Sequence, residues 1–386
     1  MRAGVATLVL ASMLTTACSG SGSSPQVVRH TNNELFGVAC ASTSHCVAVG
    51  NSGNPSGSEG SRTLILESTG ASWSIVPSPH PSVARTSVLR GVACAGTTRC
   101  IAVGSYLVGA SVDKTLIEEN SGTGWAIVPS PNPPDFDSGS LNGVTCVSAS
   151  HCIAVGAYEA SGGGFEPLVE ENTGGRWTIV PTPNISSDNY FEKVACTGAA
   201  RCIAVGSVLK PVIGENAGKG WTGVPLQGAF GLDDVSCGSP TQCVIVGSSG
   251  SSFGGDEHPV ILESVASGWV ITAGARPDGG LVGVTCTSAN QCIAVGSVGG
   301  GESVIEQRTG SGWILLARLT PSTSEPSYLA NVDLESVACA GAGHCVIVGA
   351  QYIGTYANAA GVGKTLIAEN NGSGWAVVIT PNVGPT

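Results

Sequence analysis

The sequence predicts an all-β chain that closes into a ring of seven four-stranded units, and three observations carry that prediction. The motif C-x5-C occurs seven times, with first cysteines at Cys40, Cys94, Cys146, Cys196, Cys237, Cys286 and Cys339. Each copy holds one tryptophan (Trp73, Trp125, Trp177, Trp221, Trp269, Trp313 and Trp375), and these are all seven tryptophans of the chain. Each copy also contains four short β-prone apolar runs separated by clusters of Gly, Ser, Thr and Asn.

The second copy, from Leu89 to Pro133, shows the unit clearly: GVAC, CIAVG, TLIE and WAIV are its four strands, and no stretch has helical periodicity. A single four-stranded sheet that is apolar on both faces cannot hide them alone. Packing seven such sheets face to face around an axis buries every face and leaves no open end. The implied architecture is a seven-bladed β-propeller, with blades at about 35–80, 89–133, 141–185, 191–226, 232–274, 281–320 and 334–382. The first strands (GVAC, GVTC, DVSC) are rich in small residues, as the crowded centre of such a ring requires. A pair of β-sandwiches is the alternative, disfavoured by seven copies of one motif.

In each copy the first cysteine ends strand one and the second begins strand two. Cysteines facing each other across a tight antiparallel turn have Cα atoms about 4.5 to 5.5 Å apart, within disulfide reach. The expected pairs are Cys40–Cys46, Cys94–Cys100, Cys146–Cys152, Cys196–Cys202, Cys237–Cys243, Cys286–Cys292 and Cys339–Cys345. Each closes a small loop and stabilises by about 2.4 kcal/mol on the loop-entropy model. Zinc is the competing reading; the spacing does not match C-x2-C knuckles and no His recurs beside the pairs, so no metal is expected.

Fourteen of the fifteen cysteines belong to these pairs, and the remaining one is Cys18. It follows a thin basic start (Arg2) and a short apolar core (Val5 to Leu14), which reads as an export signal over residues 1–17. LTTAC resembles a bacterial lipobox, although Thr15 stands where Leu is preferred. That resemblance implies lipidation at Cys18, with residues 18–30 as a Ser/Gly-rich tether and residues 31–386 as the propeller. The expected location is outside the cell membrane, held by the lipid, with plain secretion as the alternative. Net charge is −11, with 16 basic residues against 27 acidic ones and no concentrated basic surface, so no nucleic acid is expected as partner.

The turns ENSGTGW (from Glu119), ENTGGRW (from Glu171), ENAGKGW (from Glu215) and ENNGSGW (from Glu369) resemble the Asp-box, or BNR, turn S-x-D-x-G-x-x-W of sialidase-type and other exported propellers. Asn, Ser or Arg replaces the Asp, and the preceding Ser is usually missing. The resemblance covers about Leu35 to Pro381. It marks propeller architecture and implies no particular activity. The Glu before the Asn recurs as Glu67, Glu119, Glu171, Glu215, Glu263 and Glu369, with Gln307 in the sixth copy. A catalytic group is needed once and a structural one in every blade, so these carboxylates are expected to hold the turn, and the tryptophans to pack blade on blade.

Two other stretches invite chemistry and fail on context. GVGKT (Gly361 to Thr365) lacks the first P-loop glycine and runs into a strand, so no nucleotide cofactor is expected. NPPDFDSGS (Asn132 to Ser140) lacks full calcium-loop spacing and reads as a solvated turn.

Loops one-to-two and three-to-four lie on one side of a propeller, and both are short and uniform here. The other side carries connections that vary in length and content, which is where a binding site is expected. All six tyrosines fall at or in those connections: Tyr106, Tyr158, Tyr190, Tyr328, Tyr352 and Tyr356, joined by Phe136, Phe165, Phe230 and Phe253, with Phe191 at a strand edge. Four residues before each first cysteine stand Phe36, Arg90, Asn142, Glu192, Asp233, Val282 and Glu335, which differ from blade to blade and should ring the channel mouth. Lys193 and Asp234 occupy the next position, where Gly is commonest. Arg90, Asn142, Glu192, Lys193, Asp233, Asp234 and Glu335 form the expected polar site, with the tyrosines as sugar- or peptide-facing aromatics.

The reading is a monomeric, non-enzymatic binding scaffold for a protein or glycan of the cell envelope. The alternative is a glycoside hydrolase or lyase of sialidase-like fold. The sialidase resemblance implies three arginines, a Tyr–Glu pair and an Asp at the mouth. Only Arg90 fits that set, and the FRIP-type motif is absent. Glu192, Asp233 and Glu335 remain available as an acid/base pair.

Overall fold

The computed structural model describes residues 6–9, 31–54, 60–70, 72–134, 136–182, 189–199, 201–207, 210–226, 228, 230–250, 257–298, 301–320, 328–355 and 358–384. Seven sheets, each containing four antiparallel strands in chain order, make the ring. In blade one these are Asn32–Ser42, His45–Asn54, Gly60–Ser68 and Trp73–Val76. The inner strands of the other blades are Ala84–Cys94, Phe136–Ser148, Lys193–Gly198, Phe230–Ser239, Gly280–Ser288 and Tyr328–Gly341. Each inner strand touches the next, and that of blade seven returns to that of blade one. The ring is closed, which excludes paired sandwiches. A short segment, Ala6–Val9, pairs in parallel with the outer strand of blade six, Gly312–Thr320. Cys18 and the tether lie outside the described residues; among those described, no helix is long and apolar enough to cross a membrane.

The core is divided among seven apolar clusters, one per seam between neighbouring blades. Val47, Val49 and Ile65 of blade one, for example, pack on Leu89, Cys100 and Leu116 of blade two. All seven C-x5-C pairs are disulfides with Cα atoms 3.9 to 4.1 Å apart. This is somewhat closer than the expected separation; each pair stands directly opposite in its hairpin, and in six blades a register shift and one further pair follow it toward the turn. All fourteen sulfurs are used, which removes the zinc reading; His344 Nε2, 4.0 Å from Cys46 Sγ, faces a bridged sulfur.

The EN…W turns work differently from expectation. The Asn, not the Glu, holds the turn: Asn120 Oδ1 accepts from Gly122 N at 2.9 Å, and Asn370 Oδ1 from Gly372 N at 2.9 Å. The glycines there have positive φ, 96° at Gly122 and 92° at Gly372, which an L-residue adopts only with strain. The Glu reaches the next blade instead. Trp125 Nε1 donates to Glu67 at 2.8 Å, Trp269 Nε1 to Glu215 and Trp313 Nε1 to Glu263 at 3.3 Å, and Trp73 Nε1 to Glu369 at 2.6 Å across the ring closure. Glu119 and Glu171 are taken by Arg99 and His151, and Gln307 replaces the sixth Glu. The buried indoles of Trp177 and Trp375 accordingly have no partner among the described residues.

Several expected loops are strand. Phe136–Ser148 absorbs most of the stretch read as a solvated turn. Tyr106, Tyr158 and Tyr352 lie on second strands that run on past the predicted ends, Cys100–Val108, His151–Ala160 and His344–Thr355. Backbone pairing persists because each inner strand lengthens in step with its partner.

Candidate functional site

The motif C-x-x-V-G ends in a glycine for a reason that also builds the site. A Cβ on Gly104 would stand 1.9 Å from Val88 O, and the equivalent positions Gly50, Gly156, Gly206, Gly247, Gly296 and Gly349 meet an inner-strand carbonyl at 1.9 to 2.1 Å. That carbonyl stands two residues ahead of a bulge in the inner strand. The register skips one residue at Phe36, Arg90, Asn142, Asp233, Val282 and Glu335. In blade four, Glu192 takes the same place, just ahead of the strand, with its N–H donated to Val205 O at 2.7 Å. A bulge leaves its extra residue outside the ladder and re-aims the side chain. Six of the seven positions singled out in the sequence are therefore bulge positions, and Glu192 is their counterpart in blade four.

The next residue faces the axial channel, where neighbouring inner strands approach backbone to backbone. A Cβ on Gly143 would lie 2.7 Å from Glu192 O and one on Gly91 3.0 Å from Asn142 O. The channel holds a cavity of about 270 Å³ lined by residues such as Gly37, Gly91, Gly143, Lys193, Asp234 and Ser336. Lys193 reaches across it, with Nζ donating to Asn142 O at 3.2 Å and Arg90 O at 3.3 Å. Asp234 accepts from Val284 N and Val235 N, both at 2.8 Å, tying blade five to blade six. Both residues thus do structural work in the channel wall, more than the sequence reading assigned them.

Around this mouth the charges lean acidic. Burial raises Asp233 to about 7, helped by Glu192, Asp234 and Glu257 and opposed by Lys193. Burial raises Glu335 to about 7, with Lys193 and Arg90 opposing, and Asp333 and Glu34 adding repulsion. Asp234 rises to about 6 by burial, against the pull of Lys193 and its two backbone donors. Tyr190 is pushed up to about 12 by burial and by Glu192 and Asp233; Tyr352 is pushed up by burial and by Glu34.

The structure thus brings Arg90, Glu192, Lys193, Asp233, Asp234, Glu335, Tyr190 and Tyr352 into one neighbourhood. Other expected residues are engaged in the frame of the blades. Asn142 is buried, donating to Phe191 O at 3.1 Å and accepting from Ser140 Oγ at 3.0 Å, so it ties strands together. Tyr106 and Tyr158 pack against the seam clusters on either side of blade two, and Tyr158 donates to Glu166 at 2.8 Å. Phe191 is fully buried against Trp221. The side chain of Tyr328, and all of Tyr356 and Phe253, lie outside the described residues. Sequence reasoning missed Glu34 and Asp333, two residues before the bulge in blades one and seven, and aligning that column as well would have found them with Tyr190.

The class that this fold defines is the seven-bladed β-propeller with a polar axial mouth. Within that class, the chain is similar in fold to the BP39L lectin from Burkholderia pseudomallei, with a TM-score of 0.56 at 11% identity over 93% of this chain and 100% of that one. It is also similar to YCF48 bound to D1 peptide (TM-score 0.51, 11% identity, 84% of this chain and 90% of that chain) and to YCF48 from Cyanidioschyzon merolae (0.50, 12%, 90% and 97%). At these identities the likeness is one of architecture. No family model matches the chain, and no curated protein matches its sequence.

Proposed function

We propose that the chain is an exported, lipid-anchored propeller that acts as a non-enzymatic binding scaffold, recognising a protein or glycan of the cell envelope through its variable mouth. One observation carries the proposal: six blades place an extra residue at the same level around the axis, blade four sets Glu192 in the corresponding place, and the identity differs in nearly every blade while the surrounding frame repeats. A frame held constant around seven differing side chains is what selective recognition needs. The surplus of Glu34, Glu192, Asp233, Glu257, Asp333 and Glu335 over Arg90 and Lys193 favours a ligand with positive charge. Seven disulfides fit an oxidising compartment outside the cytosol. That a lectin and a peptide-bound protein share the architecture supports the reading at the level of fold.

The raised carboxyls of Asp233 and Glu335 are the one feature on the side of a glycoside hydrolase. Burial and mutual repulsion account for them, and Arg90 is the single arginine among these seven positions. A glycan array run beside a pull-down from native envelope, with wild type and the Arg90→Ala/Asp233→Asn/Glu335→Gln variant, tests the proposal. Ligands held by wild type and lost by the variant are expected. Unchanged binding by the variant, or turnover of a bound glycan, overturns it.

A further inference from the structure

Three carboxylates are completely buried away from the mouth: Glu118, Glu170 and Glu306. All three occupy one position of the third strand, where the other blades carry Leu66, Gly214, Leu262 and Ala368. Each faces the linker arriving from the preceding blade. Glu306 is neutralised there, with Arg276 Nε donating at 3.1 Å and Ala275 N at 3.0 Å. Among the described residues, Glu118 and Glu170 have no such cation. Ser78 Oγ donates to Glu118 Oε2 at 2.9 Å, and Glu118 Oε1 is buried with no partner. Ser130 Oγ lies 2.9 and 3.0 Å from the two oxygens of Glu170.

The other titratable groups nearby are engaged elsewhere. His80, two residues beyond Ser78, is turned to Ser87 and Ala84 O. Glu119 pairs with Arg99, Glu171 with His151, and Glu166 accepts from Tyr158. No charged group shifts either buried acid; burial is the leading cause, and the hydroxyls oppose it. A buried carboxylate without a cation is expensive, so the neutral acid is the form this geometry holds.

We propose that Glu118 and Glu170 make the two seams flanking blade two a proton-dependent clasp, closed while both are carboxylic acids and loosened once they ionise. Blade two carries Arg90, so the clasp governs how firmly that side chain is presented at the mouth, whatever the ligand. Burial sets the pH window by raising Glu118 to about 7 and Glu170 to about 8 from an ordinary 4.5. In the opened seam each acid has its ordinary value and ionises first. Closure therefore weakens as pH rises from about 5, by up to about tenfold per pH unit for each acid, and levels off above about pH 8.

Hydrogen exchange between pH 5 and 9, corrected for intrinsic rates, tests this in the whole protein. Protection of residues 112–120 and 165–173 is expected to fall across the window relative to residues 258–265, where Leu262 replaces the acid. The Glu118→Gln/Glu170→Gln variant should remove that difference, while Asp233→Asn/Glu335→Gln, at the mouth, should leave it. An equal response of all three segments in wild type overturns the proposal without any variant. So does a difference that survives in the double glutamine variant.

Discussion

At the residue scale, the glycine that closes each C-x-x-V-G motif carries more of the design than its small size suggests. Gly104 leaves room for Val88 O, two residues ahead of Arg90, which stands outside the ladder. Gly104→Ala is expected to lose about 1–3 kcal/mol or more in denaturant unfolding, since a methyl group would have to displace backbone. An unchanged midpoint would mean that the bulge relaxes freely. The recurrence of this glycine was legible in the sequence, but its cause was not: the residue it accommodates, Val88 in the case of Gly104, lies sixteen positions earlier and on another strand. The bulge column stood out for the complementary reason, because seven aligned copies expose a position that does not repeat, although the equally varied column two residues earlier, with Glu34 and Asp333, was passed over. The structural duties of Lys193 and Asp234 were hidden, since they depend on backbone groups of neighbouring blades.

At the element scale, the blades are fastened to one another by the third-strand Glu and the next blade's Trp. Both residues stood out in the sequence, yet their partnership did not, because it joins different copies and no local pattern records a contact across a seam. The missing partners of Trp177 and Trp375 provide a natural comparison. Glu369→Ala should cost about 1–3 kcal/mol, because it orphans the Trp73 indole. Gln307→Ala should cost clearly less, because the Trp375 indole beside it already lacks a partner. Denaturant unfolding of the two variants checks the order, and a larger loss for Gln307→Ala would contradict the staple. Strand ends were the least legible part: Tyr106, Tyr158 and Tyr352 looked like loop residues because turn-forming residues follow them closely, whereas pairing carries both strands further.

At the scale of the whole molecule, closure is non-covalent and relies on the last residues described. Asn33 accepts from Val383 N at 3.0 Å and donates to Val383 O at 3.3 Å, while Asn382 Oδ1 accepts from Thr365 N at 2.9 Å. The Thr380–Pro381–Asn382 segment repeats the Ser–Pro–Asn and Thr–Pro–Asn linkers of earlier blades, and the Val383 that follows it hydrogen-bonds Asn33 of blade one. The seven-fold count and the closed ring were fully legible, because a repeat that must bury both faces has few other solutions. The ligand was not legible, because recognition sits where the repeat breaks down.

The claim on which the rest depends is seven self-contained blades, each bridged within itself. Mass-spectrometric disulfide mapping of the unreduced protein tests it most directly. Seven C-x5-C linkages, with no free thiol among those fourteen cysteines, are the predicted result; a bridge joining two blades, or several titratable thiols among them, would contradict it.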